Sequence, residues 1–303
     1  MGAADSGITG ISLYTVAAER AAAEVIDTYS TSFGAAARLL GKRVRKDVRN
    51  IYALVRVADE IVDGAAAQAF GVDAAAIGDD VAVNEALLDE LENETYAAID
   101  RGFSTNLVVH AFAGTALRAG IGREMIEPFF TSMRMDLHQH QHDAESLETY
   151  IYGSAEVVGL MCLQVFVANG NYDSRQTSQL VEGARALGSA FQKVNFLRDL
   201  AADLEQLGRS YFPGVTASTF DEVTKRRLVA EIEGELAISA RSLRLLPSDC
   251  RTAVAAAHLL FEALNRRIAN TPAVTVARSR ISVGNFAKLG LLLRAYLGIF
   301  PRG

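Results

Sequence analysis

Apolar residues recur at every third or fourth position through most of this chain, the spacing of one buried face of an α-helix. Alanine clusters at 35–37 and 255–257 favour helix over strand as well. The pattern therefore predicts an all-α fold, with helices over 13–28, 81–99, 105–119, 124–137, 150–167, 180–207, 221–246, 248–269 and 286–300.

The chain of 303 residues is long enough for one large domain or two, but no stretch rich in proline and serine divides it. Half of the residues are hydrophobic and only five are proline, so the chain can build a large helical core. We expect a single all-helical domain over residues 1–303, with a loose start over residues 1–10.

One predicted helix places polar residues along a single face. Tyr52, Arg56, Asp59 and Asp63 follow one another at offsets of four, three and four, which is one stripe of a 3.6-residue period. Two carboxylates one turn apart repel each other in an apolar bundle unless a cation lies between them. This spacing points to a divalent metal ion.

A second stretch repeats the arrangement in the second half of the chain. Gln192, Asn195, Asp199 and Asp203 again keep helical offsets, and Arg198 lies beside their stripe. Two such helices can face each other across a bundle and hold hard cations on carboxylate oxygens. Ions of this kind keep water ligands and bind the phosphate groups of a substrate. The two stretches together are far more specific than either one alone.

Five segments in order resemble a known family, namely 29–33, 56–63, 150–159, 192–203 and 209–213. Together they resemble the squalene and phytoene synthases, the head-to-head isoprenoid synthases, over about Tyr29 to Lys288. The resemblance implies a helical bundle of the isoprenoid synthase type around a central apolar cavity. The residues of these motifs resemble those of bacterial phytoene synthases most closely.

Carried over position by position, the resemblance implies a role for each matching side chain. Asp59, Asp63, Asp199 and Asp203 would hold Mg²⁺, with Mn²⁺ as a substitute ion, and Tyr150 would lie near the reacting carbons. There a phenol can pass a proton or stabilise positive charge with its ring face. The residues expected to contact diphosphate are Ser30, Ser32, Tyr52, Arg56, Gln192, Asn195, Arg198 and Arg280.

The resemblance also implies a reaction. Two identical prenyl diphosphates would join head to head through a cyclopropyl diphosphate, whose loss of the second diphosphate gives a hydrocarbon. The expected substrate is the C20 geranylgeranyl diphosphate and the product phytoene, in carotenoid biosynthesis. Dehydrosqualene or squalene from the C15 farnesyl diphosphate is the alternative. A catalytically silent family member that acts in assembly or binding is a second alternative, although all four metal aspartates are present.

The net charge and the composition limit the classes of partner and cofactor that we expect for this chain. A formal net charge of -6 and a pI of about 5.5 disfavour a nucleic-acid surface, which needs basic residues. No nicotinamide cofactor is expected, because no G-x-G-x-x-G fingerprint lies between a strand and a helix.

The basic cluster 42–46 is interpreted as a solvated loop and helix start rather than a membrane or diphosphate-steering patch. Cys162 and Cys250 are too few for a disulfide framework, and a buried, inert thiol is expected at Cys162.

The predicted compartment is the cytoplasm, because the first residues show no basic start followed by an apolar run. No apolar segment is predicted to reach the roughly eighteen residues that cross a bilayer. The segment 286–300 comes closest, as a final core helix or, alternatively, as a lipid contact for release of the oily product. Downstream carotenoid enzymes that take up this product are further expected partners.

Two local features leave alternatives open. His138, His140 and His142 alternate, which suits a mobile loop better than a transition-metal site. Gly153 and its small neighbours allow close approach of either a substrate or another helix. Within the same segment Glu156 replaces a glycine of the family pattern. Its side chain either faces away from the cavity or alters the cavity floor.

Overall fold

The computed structural model describes residues 9–30, 32–62, 65–69, 77–205, 210–216, 219–282, 284, 290–291, 294–296, 298 and 300–301, without the side chains of 32, 33, 35, 67, 68, 77–80 and 203–205. The described residues form helices joined by turns and short loops, and none of them forms a strand. The all-α prediction is therefore confirmed. The helices, in chain order, are α1 (Ile11–Tyr29), α2 (Ser32–Ala37), α3 (Lys42–Val62), α4 (Ala65–Ala69), α5 (Ile77–Arg101), α6 (Leu107–Ala119), α7 (Arg123–His138), α8 (Ala144–Ile151), α9 (Val157–Val167), α10 (Ser174–Glu205), α11 (Glu222–Ser242), α12 (Ser248–Ala269) and α13 (Ala273–Val276).

The predicted helices within the described residues are found with shifted ends, and the largest shifts, of six residues each, are at the starts of α8 and α10. α10 begins at Ser174, six residues before the predicted start at Leu180. The side chain of Asp173 accepts a hydrogen bond from the backbone N–H of Gln176 at 2.8 Å, and the side chain of Gln176 accepts one from the N–H of Asp173 at 3.0 Å. This reciprocal cap satisfies two N–H groups that a helix start otherwise leaves free.

α9 and α10 pack closely and run in opposite directions. A Cβ atom on Gly159 would lie 2.8 Å from the carbonyl oxygen of Ala184, and one on Gly188 would lie 2.7 Å from that of Ala155. Both distances are shorter than ordinary van der Waals contacts, so glycine is required where the two backbones meet. Helix packing is therefore seen at these crossings, and the small residues Ser154, Ala155 and Gly159 of this segment also line the cavity described below.

α3 also runs opposite to α9. Arg43, in the first turn of α3, donates hydrogen bonds to the carbonyl oxygens of Val165 and Phe166 at 3.2 and 3.1 Å, and it pairs with Asp249 at 2.7 Å. These bonds satisfy carbonyls at the end of α9, where the helix dipole also favours a cation. Since α3 and α10 both oppose α9, their C-terminal halves lie at the same end of the bundle.

Three apolar clusters hold the described helices together. The largest includes residues of α3, α6, α7, α9 and α12, with the rings of Phe112, Phe129 and Phe130 fully buried. The second joins α10 to α11 and α12 around Phe196 and Ile232. The smallest joins α1 to α3 and α6 through buried alanines. Each fully buried side chain of the size of phenylalanine or isoleucine contributes roughly 1.5–3 kcal/mol. The clusters therefore supply the main stabilisation of the walls described below.

A π-helical turn, Tyr152–Glu156, interrupts the run from α8 to α9. Gly153 in this turn lies against α7, where a Cβ atom would be 2.1 Å from both the carbonyl oxygen of Pro128 and the Oγ of Ser132. Turns of this kind are rare and occur frequently at functional sites. The sequence pattern predicted a continuous α-helix here and did not reveal the turn.

The prediction that no segment is long and apolar enough to cross a bilayer was wrong for one run in the described part of the chain. The run Ala144–Val167 meets both criteria with 24 residues. In the bundle it packs against α7 and α10, as a core helix of a globular domain does. Of the predicted last helix, residues 290–291 and 294–296 are helical, and the rest lies outside the described residues, as do residues 1–8 of the predicted loose start.

Replacing Gly153 by alanine tests the close contact at the π-helical turn. We expect the free energy of unfolding to fall by about 3 kcal/mol or more, because a methyl group would overlap two atoms of α7. Urea unfolding followed by circular dichroism measures the change. The control is Gly234→Ala, in an exposed part of α11 where a Cβ atom meets nothing within 4 Å. This control should raise the free energy of unfolding by about 0.5–1 kcal/mol; equal effects of the two variants would contradict the packing argument.

Candidate active site

A cavity of about 290 Å³ lies between α2, α3, the run from α8 to α9, α10, α11 and α12. Its wall is mainly apolar, and the exceptions are the polar side chains of Ser154, Gln192, Asn195, Ser239 and Ser242. Many lining residues are small, which leaves room inside the bundle. The apolar lining includes Ala36, Ala37, Leu40, Val48, Val55, Gly159, Phe166, Leu180, Ala184, Phe191, Leu246, Val254 and Ala257.

The two polar stripes of the sequence continue the walls of this cavity. On α3, Val55 lines the cavity, and Asp59 follows one turn later on the same face. On α10, Gln192 and Asn195 line the cavity, and Asp199 follows one turn later. Because the C-terminal halves of α3 and α10 lie at the same end of the bundle, Asp59 and Asp199 lie at the same end of the cavity, here called the mouth.

Arg56 is the centre of the first group at the mouth. Its Nη1 donates to Asp59 Oδ2 at 2.7 Å, and its Nη2 pairs with Glu60. Its guanidinium carbon lies 4.5 Å from the centre of the Tyr29 ring, a cation-π contact. The guanidinium group is therefore oriented before any substrate binds.

Tyr52 and Ser30 complete this first group. Burial raises the pKa of the Tyr52 phenol, and a hydrogen bond to Ser30 opposes the rise. Ser30 also accepts a hydrogen bond from the backbone N–H of Gly34 at 3.4 Å. Ser32, which was predicted to act with Ser30, lies outside the described side chains, and Asp63 lies outside the described residues.

Asp199 is the centre of the second group. Arg198 Nε donates to Asp199 Oδ2 at 3.0 Å, and Arg280 Nε lies 2.8 Å from Asp199 Oδ1. The backbone N–H of Ile281 donates to the carbonyl of Arg198 at 3.3 Å, which anchors the segment that carries Arg280. Arg280, which the family resemblance alone suggested, therefore lies beside Asp199. The side chain of Asp203 lies outside the described side chains.

Two buried polar atoms at the mouth have no hydrogen-bond partner among the described residues. One is the carbonyl oxygen Oδ1 of Asn195, and the other is the Nε of Arg56. Such atoms are costly unless a ligand or water satisfies them. An amide oxygen beside a carboxylate suits a hard cation, and a free guanidinium N–H suits a phosphate oxygen. The residues present therefore fit a divalent metal ion together with a diphosphate.

Within the described residues, no cluster of three or more His, Cys, Asp or Glu has the geometry of a metal site. Asp59 and Asp199 come from opposite walls, and the second aspartate of each motif has no described side chain. A cation at the mouth would thus complete its shell with water and phosphate oxygens, as Mg²⁺ commonly does.

Tyr150 lies just beyond the described lining of the cavity, one turn before Ser154. The ring is buried, and its hydroxyl donates a hydrogen bond to Asp136 Oδ2 at 2.8 Å. Burial, followed by the negative charge of Asp136, raises the pKa of this phenol well above its ordinary value. The sequence analysis did not identify Asp136, although its spacing from Phe129 and Met133 places an aspartate on the apolar face of α7, which was a usable signal.

Comparison with known proteins agrees with this geometry. The sequence profile described as squalene/phytoene synthase matches residues 26–287. The chain belongs to the squalene/phytoene synthase family. The resemblance inferred from the motifs is thereby confirmed, and so is the isoprenoid synthase type of helical bundle.

Individual relatives carry more specific names. The chain is 28% identical to a 15-cis-phytoene synthase of Paracoccus sp. (strain N81106 / MBIC 01143), over 89% of this chain and 88% of that one. It is 29% identical to a phytoene synthase of Rhodobacter capsulatus, over 84% and 74% of the two chains. Among solved structures, a dehydrosqualene synthase in complex with ligand superposes with a TM-score of 0.76 at 22% identity, covering 95% and 99%. A squalene synthase of Alicyclobacillus acidocaldarius superposes with a TM-score of 0.68 at 22% identity, covering 86% and 97%.

Glu156 departs from the family pattern, and the structure places it away from the cavity. Arg185 Nε donates to Glu156 Oε2 at 2.6 Å, and the same guanidinium lies 5.2 Å from the centre of the Tyr152 ring. Glu156 is not among the described lining residues of the cavity. The carboxylate therefore ties the π-helical turn to α10 on its outer side and does not alter the floor.

The remaining sequence features have structural roles. In the basic cluster, Arg43 caps α9 as described above, Arg45 donates to the carbonyl of Leu40 at 2.8 Å, and Lys46 pairs with Glu19 at 2.9 Å. These intramolecular contacts match the prediction of a helix start better than a binding patch. Cys162 is half-buried in the cavity wall rather than fully buried as predicted, and desolvation raises the pKa of its thiol to about 12, which agrees with an inert thiol.

The three alternating histidines do not share one site in the described structure. His138 lies in the last turn of α7, 3.4 Å from Glu85. His142 is buried, and its ring stacks on that of Tyr211 with 5.8 Å between ring centres. Burial lowers the pKa of the His142 imidazole. No metal-binding cluster among the described residues includes them. The segment is a short connection whose end packs beside Tyr150.

Neutralising either aspartate at the mouth should abolish turnover without unfolding the chain. Asp59→Asn and Asp199→Asn each remove a negative charge that we expect a metal ion to need, and both carboxylates are partly exposed, so helicity should stay near wild type. Mn²⁺ binding in the presence of inorganic pyrophosphate, followed by water proton relaxation, gives a second readout. Glu182→Gln, on an exposed face of α10, is the control. Wild-type Mn²⁺ affinity in both aspartate variants would contradict the assignment.

Proposed function

We propose that this protein is a phytoene synthase, which joins two geranylgeranyl diphosphates head to head through a cyclopropyl diphosphate. The observation that carries the proposal is the position of Asp59 and Asp199, with their arginines, at the mouth of one apolar cavity. The chemistry needs this combination, because an allylic diphosphate ionises only when its leaving group is neutralised and the resulting cation is kept from water.

Asp59, Asp63, Asp199 and Asp203 would hold Mg²⁺, which neutralises the departing diphosphate when bound. Asn195 would add an amide oxygen. Mn²⁺ is expected to substitute, because both ions take oxygen ligands. The proposal assigns no nicotinamide cofactor to the reaction.

The diphosphates would be held by the polar groups around the mouth. Arg56 and Arg280 now pair with carboxylates, and each can turn to a phosphate oxygen when a cation takes over the aspartate. Arg198 borders the same carboxylate. The remaining contacts predicted for the diphosphates are Ser30, Ser32, Tyr52, Gln192 and Asn195.

The cavity below the mouth would shield the prenyl chains. Its lining extends along α10 from Leu180 to Asn195, a length of about 22 Å at the helical rise of 1.5 Å per residue. Small side chains such as Ala184 and Ala257 keep the interior open. A mainly apolar wall holds little water, so a carbocation formed at the mouth would survive long enough to rearrange.

Two observations favour the C20 substrate. The relatives of Paracoccus and Rhodobacter capsulatus are named as phytoene synthases and match most of both chains. The dehydrosqualene and squalene synthase structures are less similar in sequence, at 22% identity each. Use of farnesyl diphosphate to make dehydrosqualene or squalene remains the second candidate function.

A C40 hydrocarbon has no polar group, so we further propose that release occurs at a membrane surface and that downstream carotenoid enzymes collect the product.

The direct test is product analysis by mass spectrometry. Purified protein with Mg²⁺ and geranylgeranyl diphosphate should release pyrophosphate and form a C40 hydrocarbon. The same assay with farnesyl diphosphate is the comparison. A C30 product together with an inert C20 substrate would move the assignment to the second candidate, and no product from either would favour a catalytically silent protein.

Filling the cavity should change chain-length preference. Ala257→Phe places a ring in the wall of the cavity, so we expect the ratio of kcat/KM for the C20 substrate to that for the C15 substrate to fall about tenfold or more. Ala230→Phe, on an exposed part of α11, is the matched control and should leave the ratio unchanged. An unchanged ratio in Ala257→Phe would show that the prenyl chain does not reach this part of the cavity.

A further inference from the structure

Asp136 is a buried carboxylate on the mainly apolar inner face of α7, with 7% of its surface exposed. Its neighbours on this face include Phe129 and Met133, which belong to the large apolar cluster. A carboxylate in such surroundings is strongly destabilised unless hydrogen bonds compensate it. An apolar residue in place of Asp136 would avoid the free-energy cost of burying a carboxylate. The presence of Asp136 at this position therefore indicates a chemical role.

Asp136 accepts hydrogen bonds from tyrosines of two different chain segments. Tyr150 Oη donates to Oδ2 at 2.8 Å, and Tyr211 Oη approaches Oδ1 at 3.5 Å. The Tyr211 ring stacks on Phe196 with 4.0 Å between centres, and His142 packs against both phenols. The Tyr150 phenol is therefore held in one orientation, with its proton directed at the carboxylate.

This arrangement borders the mouth of the cavity. Tyr150 precedes the lining residue Ser154 by one turn, and Phe196, which packs on the Tyr150 ring, directly follows the lining residue Asn195. The reacting carbons of a prenyl diphosphate would lie here, because they are bonded to the oxygen of the departing diphosphate.

The next step rests on the proposed function. After the second diphosphate has left and the carbon skeleton has rearranged, the product is an allylic cation that becomes a neutral triene only by losing a proton from carbon. A base is therefore required at a place where water is excluded, since water would add to the cation.

We propose that Tyr150 and Asp136 form this base as a proton relay. The C–H bond next to the cationic centre breaks, and its electron pair forms the new C=C bond. The proton goes to Tyr150 Oη, and the proton that Oη carried moves to Asp136 Oδ2. The phenol stays neutral throughout, and the carboxylate becomes a carboxylic acid. The proton returns to solvent before the next turnover.

The surroundings favour each part of this relay. Because the phenol already donates its own proton to the carboxylate, its oxygen lone pairs are available to accept another. Oδ2 of Asp136 already accepts the hydrogen bond from Tyr150 Oη, so the proton has only to cross this 2.8 Å hydrogen bond. Asp136 acts through Tyr150 and is a positioning residue for the phenol, while Tyr150 is the catalytic group that touches the substrate.

Asp136→Asn tests the relay because it keeps the shape of the side chain and removes the charge. We expect KM and release of the first pyrophosphate to stay within about twofold of wild type, since ionisation at the mouth does not involve Asp136. The hydrocarbon product should fall by roughly 100-fold, and alcohols formed by capture of water should replace it. Glu127→Gln, an exposed carboxylate on the same helix, is the matched control and should behave as wild type.

Tyr150→Phe is the second variant and keeps the test decisive if Asp136→Asn does not fold. It preserves the aromatic face, so it removes the proton transfer but not stabilisation of the cation by the ring. We expect the same shift from hydrocarbon to alcohols, and the double variant should be no worse than either single variant, because the two residues act as one unit.

The outcomes separate the relay from the proposed function. A wild-type hydrocarbon fraction in either single variant overturns the relay. Loss of the first pyrophosphate release in a folded Asp136→Asn variant overturns it as well, because the carboxylate would then act in ionisation. If the wild-type protein itself forms no hydrocarbon, the proposed function fails before the relay is reached.

Discussion

Charge at the edge of an apolar cavity has to be neutralised locally, because carboxylates and guanidinium groups lose part of their hydration there. The mouth of this cavity meets the requirement with arginines beside each aspartate: Arg56 beside Asp59, and Arg198 and Arg280 beside Asp199. Such partly exposed pairs contribute only about 0–1 kcal/mol each. Because each ion pair is weak, a metal ion can replace the arginine beside an aspartate, and a phosphate can replace the aspartate beside an arginine. A site that binds both cations and phosphates needs such replaceable pairs.

The walls obey a different constraint. α10 and the run from α8 to α9 approach so closely that glycine is required at Gly159 and Gly188, and the π-helical turn of the same run requires Gly153 where it meets α7. Gly159 and Gly188 themselves line the cavity together with Ala155 and Ala184, so the small residues that let the two backbones meet also leave space in the interior. The same run carries Ser154 in the cavity wall and Tyr150 just beyond it, so the packing of the wall also sets the position of these polar groups.

Asp136 forms a second polar centre, and its surroundings differ from those of the mouth. Asp59 and Asp199 are partly exposed and paired with cations, whereas Asp136 is buried and held by phenols. Guanidinium groups contact the first two carboxylates, whereas neutral phenol hydroxyls contact the third. In the proposed reaction the first two would act in diphosphate loss and the third in proton loss.

The helices, the two acidic stripes and the family could all be read from the sequence, because helical periodicity is a local property and the motifs are short. Tyr52, Arg56 and Asp59 share a face wherever α3 lies. Only the tertiary structure decided that Arg280 meets Asp199, that Glu156 pairs with Arg185 and that Tyr150 donates to Asp136. These pairs join different helices or segments, so they depend on how helices cross and on where glycine lets backbones touch, and no local period records that information.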